Sequence, residues 1–248
     1  MRLTRTLNLV YDATLSLVYP LRCAACETAC VERRADAPAC DSCWEATMIF
    51  DGAETLCWKC GVRAHAAVAA QAWEGVRCRR CDAEHFDAAR SVGIYEGALR
   101  ASVLTLKREP HLSPRLARLL CEAQRRPPLD AATRIVPVPL HRERERERGF
   151  NQATVLARTL SERTRLPLDE WSVVRTEHTA RHRAGMDARA RRETVESAFK
   201  VVRPRLVEGE RVLLVDDVLT TGATVSSCAR ALKEAGALEV FVLTVARA

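Results

Sequence analysis

The chain has 248 residues, 48% of them hydrophobic, and a formal net charge of +7. This length allows one large domain or a medium-sized domain with a small appendage, and the basic excess favours anionic partners such as phosphorylated metabolites, pyrophosphate or nucleic acid. No apolar run reaches the ~18 residues that a bilayer-spanning helix needs, which argues against membrane insertion, and we expect a cytoplasmic protein.

The first 22 residues are predicted to form a short amphipathic helix that ends near Pro20. Apolar residues recur there at helical spacing, and a proline ends such a segment. A secretory signal is the alternative, because arginines precede the apolar stretch. However, Asn8 and Asp12 interrupt that stretch, and no small-residue cleavage pattern follows it.

The region from residue 23 to residue 86 is rich in cysteine. Eight of the eleven cysteines form four C-x-x-C pairs, namely Cys23/Cys26, Cys40/Cys43, Cys57/Cys60 and Cys78/Cys81. Each pair can offer two thiolates from one tight turn, which is half of a tetrahedral zinc site. We therefore expect two structural zinc ions. Pairing of neighbouring knuckles is the simpler arrangement, and a cross-braced one (first with third, second with fourth) uses the same ligands.

Two other uses of these cysteines fit less well. A disulfide framework needs an oxidising compartment, and a thioredoxin-like site needs one C-x-x-C pair in a strand–helix setting. The region is also too short and too polar to fold around a core of its own, so metal is expected to supply folding energy. Residues 23–86 are therefore predicted to form a double zinc-ribbon module.

From about residue 87 the pattern changes to alternating strands and helices. The predicted strands cover residues 91–95, 135–138, 171–174, 212–215 and 240–245. The predicted helices cover residues 98–107, 115–126, 151–164 and 225–235. The last two strands are continuously apolar, as in a parallel sheet with helices on both faces. Residues 87–248 are therefore predicted to form one α/β domain.

A strand ending in prolines at 135–140 leads into a charged segment. Arginine and glutamate alternate over Arg142–Arg148, and most of this segment is expected to be a solvated surface. Arg148 differs, because it leads into the string Gly-Phe-Asn-Gln-Ala at residues 149–153.

Residues 175–192 are strongly basic. Only Glu177 and Asp187 oppose six arginines there, which are Arg175, Arg181, Arg183, Arg189, Arg191 and Arg192. Such a segment can close over a substrate that carries pyrophosphate, bind nucleic-acid phosphates or remain a solvated surface loop.

The most informative stretch is residues 212–224, which read VLLVDDVLTTGAT. An apolar strand, a threonine- and glycine-rich loop and a helix follow one another, so free backbone N–H groups can point at a phosphate. Asp216 and Asp217 would repel that phosphate unless a sugar diol or a magnesium ion lies between them. A ribose 5-phosphate satisfies both halves of the pattern. The plainer interpretation is a strand–turn–helix corner with one capping residue.

This stretch resembles the 5-phosphoribosyl-1-pyrophosphate (PRPP) motif of type I phosphoribosyltransferases. Together with the cysteine pairs, Tyr95-x-Gly97, Leu106-Lys107, the V-P-V-P strand and R-G-F-N-Q at 148–152, it resembles the ComF/GntX family. One departure lies in the basic segment: where the family usually has Gln and R-x-x-N, this chain has His182 or Arg183, and Thr194.

The resemblance implies a double zinc ribbon joined to a type I phosphoribosyltransferase domain, with a link to DNA uptake in natural competence. It implies that PRPP, or another ribose-5-phosphate compound, binds with magnesium at Asp216, Asp217, Val218, Thr220, Thr221, Gly222, Ala223 and Thr224. Lys107, Pro139 and Arg148 are candidates for the pyrophosphate.

Two hypotheses about function follow. In the first, the protein transfers the phosphoribosyl group of PRPP to an acceptor, and we assign no general base. In the second, the PRPP pocket is a sensor, and the working activity is the handling of single-stranded DNA together with competence proteins.

Overall fold

The structure, a computed structural model, describes residues 20–64, 76–176 and 198–248. Nearly all of the predicted N-terminal helix lies outside these residues. The described α-helices are α1 Asp41–Ala46, α2 Gly97–Leu106, α3 Pro114–Gln124, α4 Arg142–Arg148, α5 Gln152–Thr164 and α6 Ala223–Glu234. The described strands are β1 Ala88–Ile94, β2 Arg134–Pro137, β3 Val173–Arg175, β4 Phe199–Val201, β5 Arg211–Leu219 and β6 Glu239–Arg247.

Four strands form the central sheet, in the order β1-β6-β5-β2, and all neighbours are parallel. The two central strands, β5 and β6, are almost continuously buried, as expected for strands covered on both faces. The predicted α/β fold with a parallel sheet is therefore confirmed. Within the described ranges, every helix is too short or too polar to span a bilayer.

Several strands differ from the prediction: β1 begins three residues earlier, β4 was not predicted, and β5 and β3 differ in length and pairing. We expected β5 to end at Val215, but it continues to Leu219, because β6 runs on beside it and Asp216 and Val218 pair with Thr244 and Ala246. Partner strands have overridden the local polarity of the two aspartates. The predicted strand at 171–174 pairs as β3 with β4 in a separate two-stranded antiparallel sheet.

Each face of the central sheet has its own hydrophobic core. Helices α2, α3 and α5 cover one face, where Leu99, Leu120 and Leu156 are fully buried. Helix α6 and the β3–β4 pair cover the other face with Leu232 and Phe199. The site described below lies at the carboxyl edge of this sheet, as is usual for open parallel sheets.

The cysteine-rich region is divided between these two cores. Cys23 and Cys40 belong to the core on the α3 face, whereas Cys57, Cys60 and Cys81 belong to the core on the α6 face. The chain crosses between the faces at residues 48–50, which pair with the outer edge of β1. Phe50 N donates to Val92 O over 2.8 Å, and a Cβ on Gly93 would lie only 2.1 Å from Met48 O.

Candidate functional site

The eight paired cysteines form two groups of four. Cys23, Cys26, Cys40 and Cys43 form the first cysteine cluster, and Cys57, Cys60, Cys78 and Cys81 form the second, with all sulfurs of a group within 4.8 Å of one another. Neighbouring knuckles therefore pair, as in the simpler of the two predicted arrangements, and the cross-braced arrangement is wrong.

Both clusters fit a zinc ion. Four sulfurs at 2.3 Å from one zinc lie about 3.8 Å apart in a tetrahedron, and the Cys23–Cys43 and Cys57–Cys81 sulfur pairs are 3.7 and 3.6 Å apart. Backbone N–H groups also donate to sulfur, as from Cys40 N to Cys23 Sγ over 3.3 Å. Four thiolates leave no open position for water, which indicates structural sites.

Backbone donors favour the thiolate that zinc requires. Burial raises the pKa of the Cys57 thiol, but the backbone N–H groups of Cys60 and Cys78 donate to its sulfur and bring the pKa down to about 7. In the same cluster, burial and the neighbouring Cys78 sulfur raise the pKa of the Cys60 thiol to about 11. Cys57 is thus prepared for metal binding near neutral pH, whereas zinc itself must favour loss of the Cys60 proton.

The phosphate loop, residues 220–224, connects β5 to α6. Gly222 has φ +87°, a left-handed conformation that favours glycine, and α6 begins at the next residue. Thr220, Thr221 and Ala223 are exposed and Thr224 is partly exposed, and Thr221 Oγ1 accepts a weak hydrogen bond from Ala223 N over 3.4 Å. Accessible hydroxyls therefore surround the N-terminus of α6, where the helix dipole favours an anion.

The acidic pair lies in the last part of β5, just before this loop. Asp217 is only 8% exposed, and its Oδ2 is 3.2 Å from Lys107 Nζ. Gln152 Nε2 also donates to this oxygen, over 3.4 Å. The predicted pyrophosphate candidate Lys107 therefore lies beside the predicted ribose-binding acid, although 110 residues separate the two in sequence.

Burial and the nearby charge of Asp217 raise the pKa of Asp216 to about 8. Two carboxyl groups held this close are unfavourable when both are ionised. A magnesium ion, or the hydroxyls of a ribose, would stabilise the ionised pair. These are the ligands that the sequence pattern predicts, and the chemistry of the two side chains suits both of them.

Arg148 joins the same network through Gln152. Its guanidinium donates to Gln152 Oε1, and the amide of Gln152 contacts Asp217. Gly149, with φ +80°, ends α4. Asn151 then begins α5, where its side chain accepts from Ala153 N and donates to Val138 O over 3.0 Å each. This turn fixes Arg148 beside the end of β2.

Gln152 is the residue that sequence reasoning missed. It is 6% exposed and connects two predicted site residues. Its position in the R-G-F-N-Q string, four residues after Arg148, was a usable signal, because residues four apart on a helix can meet.

The structure brings together Asp216, Asp217, Lys107 and Arg148, followed directly by the phosphate loop, and Pro139 comes directly after Val138, whose carbonyl accepts from Asn151. Pro139 lines a cavity of about 640 Å³ between the start of α5 and β3. Phe150 and Trp171 also line it, and Trp171 is 66% exposed. Val218, another predicted contact, lies within β5 and is half-buried.

Most of the basic segment lies outside the described residues, including His182, Arg183 and Thr194. Its first member, Arg175, lies 5.3 Å above the Phe199 ring, measured from its guanidinium carbon to the ring centroid. The predicted closing role of the segment stays a prediction.

Comparisons with known proteins agree with this architecture. A family model described as the phosphoribosyl transferase domain matches residues 147–248. The chain is 34% identical over 202 residues to the DNA utilization protein YhgH of Escherichia coli strain K12, which covers 78% of this chain and 85% of that protein. It is 38% identical over 138 residues to competence protein F of Haemophilus influenzae, covering 54% of this chain and 60% of that protein.

Among solved structures, a glutamine PRPP amidotransferase from Bacillus subtilis, complexed with ADP and GMP, aligns at 22% identity and a TM-score of 0.38. The alignment covers 60% of this chain and 26% of that one. The similarity to YhgH is far more extensive, and the family model matches the segment that carries Arg148, Gln152, β5 and the phosphate loop. The chain therefore belongs to the ComF family, with a phosphoribosyltransferase-like domain and two four-cysteine clusters that can hold zinc.

Proposed function

We propose that the protein binds PRPP with magnesium at the carboxyl edge of the sheet and transfers its phosphoribosyl group to an acceptor. The observation that carries this proposal is that Lys107 and Gln152 both contact Asp217, and Arg148 contacts Gln152, one loop away from the N-terminus of α6. Carboxylates, cations and a phosphate loop are the three groups that a sugar carrying a 5′-phosphate and a pyrophosphate requires.

Each part of PRPP has a candidate partner. The backbone N–H groups and hydroxyls of Thr220–Thr224 would hold the 5′-phosphate, and Asp216 and Asp217 would accept from the ribose hydroxyls. Lys107 and Arg148 would compensate the charge of the pyrophosphate. Magnesium, when bound, would supply further compensation for the same charge.

The reaction would need little covalent help from the protein. The bond between the sugar C1 and the pyrophosphate oxygen breaks, a bond from C1 to the acceptor forms, and both electrons of the broken bond leave with pyrophosphate. Positive charge develops on the sugar ring in between, so positioning and charge stabilisation supply most of the catalysis. The buried acid Asp217 is suitably placed to stabilise that charge.

Calorimetry with PRPP tests the binding step. We expect binding that depends on magnesium and is lost in the Asp216→Asn/Asp217→Asn variant. The matched control is Asp130→Asn. Asp130 is exposed in the short helix Leu129–Ala131, which precedes β2 and so lies at the amino ends of the strands, opposite the candidate site. Unchanged binding in the double variant would contradict the proposal.

Pyrophosphate release tests the transfer step. The protein would be incubated with PRPP, magnesium and, separately, free bases, nucleosides and oligonucleotides as acceptors. We expect release that requires one acceptor class and is abolished by the double variant. If the double variant released pyrophosphate as fast as the wild-type protein, the release would come from a contaminant or from spontaneous hydrolysis of PRPP.

The names of the relatives suggest the biological setting. YhgH is named for DNA utilization and competence protein F for competence, and we propose that this chain serves DNA uptake and acts in the cytoplasm. Single-stranded DNA is then a candidate partner, and exposed aromatic residues are the ones that could stack on its bases.

The described aromatic residues of the cysteine-rich region are poor candidates for base stacking. Trp44, Phe50 and Phe86 are buried, and the ring of Trp58 is covered by the Arg90 guanidinium at 5.0 Å. Trp171, at the rim of the 640 Å³ cavity, is exposed. An exposed ring beside arginines is the usual platform for a single-stranded base.

Fluorescence anisotropy of dye-labelled oligonucleotides across a salt series tests this second function. We expect binding that weakens steeply with salt and that falls in Trp171→Ala but not in Asp216→Asn. Equal affinity of Trp171→Ala and the wild-type protein would contradict the assignment of this cavity.

A further inference from the structure

The second cysteine cluster and the phosphate loop are neighbours in the structure, although 138 residues separate Cys81 from Leu219 in sequence. We propose that zinc in the second cluster positions the phosphate loop, so that metal loss from this cluster, and not from the first, weakens phosphoribosyl binding. This inference rests on the proposed function, because the loop must bind a phosphate for the coupling to be seen.

One connection runs through Arg247, at the end of β6. Its Nη1 donates to Cys60 O over 2.5 Å, and its Nη2 lies 3.9 Å from Cys60 Sγ. Arg247 is also the register partner of Leu219, the last residue of β5 before the loop, and Ala248 N donates to Leu219 O over 3.0 Å. Movement of the Cys60 knuckle therefore acts on the strand end from which the loop begins.

A second connection runs through the segment that leaves Cys81. Glu84 N donates to Cys81 O over 3.1 Å. The Glu84 carboxyl group packs against Gly222, because a Cβ added to this glycine would lie only 3.4 Å from it, at van der Waals distance. His85 N then donates to Ser226 Oγ over 2.9 Å. Ser226 is in the first turn of α6, the helix whose N-terminus would face the phosphate.

The same segment continues along α6. The Asp87 carboxylate is 2.7 Å from Lys233 Nζ, in the last turn of that helix, and Phe86 is buried in one core with Cys57, Cys60 and Cys81. The second cluster thus holds a strip of chain against α6 from its first turn to its last. Loss of the metal would release this strip, because short metal-held knuckles have little other folding energy.

Two arginines next to the second cluster would compensate the negative charge of its zinc site. Four thiolates around one Zn²⁺ leave a net charge of about −2. Arg247 contacts one of these sulfurs. Arg90 is buried beside the Trp58 ring and donates to the carbonyl oxygens of Trp58 and Ala89 over 2.8 Å each. Residues of β6 and β1 therefore compensate a charge that lies in the cysteine-rich region.

The first cluster has a different set of neighbours. Thr47 Oγ1 donates to Cys43 O over 2.6 Å and accepts from Ala98 N over 2.8 Å, which ties the cluster to the start of α2. The Arg115 guanidinium, from α3, lies 4.7 Å above the Trp44 ring. The first cluster thus contacts the start of α2, whereas the site residue Lys107 follows the other end of this helix, about 15 Å away. This cluster is therefore an internal control for the coupling.

Coupling between two sites is reciprocal, so it can be measured from the zinc side without any activity assay. A colorimetric chelator would follow zinc release from the full-length protein, with and without PRPP and magnesium. We expect PRPP to slow the release of one of two zinc equivalents. Cys26→Ser and Cys78→Ser are matched variants, since both sulfurs are half-buried ligands, one in each cluster.

The two variants should behave differently. Cys26→Ser should bind PRPP within about twofold of the wild-type protein and should keep the slowed release of its remaining zinc. Cys78→Ser should lose about fivefold or more in PRPP affinity, and its remaining zinc should leave at the same rate with and without PRPP. Equal effects of the two substitutions on PRPP affinity would overturn the proposal.

A third variant covers the case in which Cys78→Ser fails to fold. Arg247→Ala keeps all eight thiol ligands, and we expect it to bind two zinc equivalents without protection by PRPP. Retained protection in Arg247→Ala would overturn the connection through Cys60. Wild-type protein that binds PRPP without any change in zinc release would contradict the coupling alone, whereas a protein that binds neither PRPP nor inorganic phosphate would contradict the proposed function as well.

Discussion

Lys107 Nζ lies 3.2 Å from Asp217 Oδ2, so the residue after α2 and the acid of β5 meet at the carboxyl edge of the sheet. The pair is partly shielded from solvent, because only 11% of the Asp217 side chain is exposed. In the proposed complex, Lys107 would compensate Asp217 before PRPP binds and would contact the pyrophosphate afterwards. This geometry leads to the first prediction.

Lys107→Ala should weaken PRPP binding by about tenfold or more, the usual cost of losing one hydrogen bond to a charged group. Arg134→Ala is the matched control: its guanidinium also pairs with an acid, Glu210, over 3.0 Å, and it lies at the start of β2, at the other end of the strands from the phosphate loop. Calorimetry on both variants would decide. Equal losses of affinity would show that the effect is not local to the site.

Gln152→Ala should also weaken PRPP binding, because Arg148 and Asp217 would lose the amide that holds them together. Gln124→Ala offers a control with the same 6% exposure, since the Gln124 amide donates to Leu129 O, over 3.3 Å, away from the candidate site. We expect both variants to lose about 1–3 kcal/mol of unfolding free energy, and only Gln152→Ala to lose affinity. Wild-type affinity in Gln152→Ala would contradict the positioning role.

The acidic pair predicts a pH dependence of stability. Burial and the charge of Asp217 raise the pKa of Asp216 from 3.8 to about 8 in the folded protein. The folded state therefore binds this proton more tightly than the unfolded state, and the unfolding free energy should fall as pH rises between about 4 and 8. Urea unfolding over this range should show a shallower decline for Asp216→Asn.

Asp130→Asn serves as the control for this measurement, because the exposed Asp130 should not change the pH dependence. Parallel curves for Asp216→Asn and the wild-type protein would contradict a raised pKa. Addition of PRPP with magnesium should flatten the wild-type curve, since ligands of the ionised pair favour loss of the proton.

Gly93→Ala should destabilise the protein by about 1–3 kcal/mol, as overpacking usually does. Its Cβ would meet Met48 O at 2.1 Å, and this atom is backbone that cannot turn aside. Thermal unfolding would show the loss. An unchanged melting temperature would mean that residues 48–50 can leave β1 at little cost.

Features carried by local spacing could be predicted from the sequence. The C-x-x-C pairs place two sulfurs on one turn wherever they occur, and Gly222 with its threonines indicates a loop before a helix. The end of β5 was placed too early, because polarity at Asp216 and Asp217 suggested a loop and pairing with β6 was not visible. Binding of PRPP by these residues stays a prediction.

Contacts between distant segments could not be predicted. Nothing near Glu84 indicates that it lies against Gly222, and nothing near Arg247 indicates that it reaches Cys60. These pairs depend on the register of β5 and β6 and on the division of the cysteine-rich region between two cores. No local sequence pattern indicates the register of these strands or the division of the cysteine-rich region.

The crossing of the chain at residues 48–50 also determines how this protein can associate with others. An open sheet edge is a template on which another chain can add a strand. Here Ile94 N donates to Met48 O and Ala89 N to Lys59 O, so the β1 edge is occupied by the chain itself. At the opposite edge, Ile135 N donates to Pro167 O and Asp169 N to Ile135 O. Among the described residues, both edges of the central sheet are thus occupied by the chain itself, which favours partners that dock through side chains and loops over partners that extend this sheet.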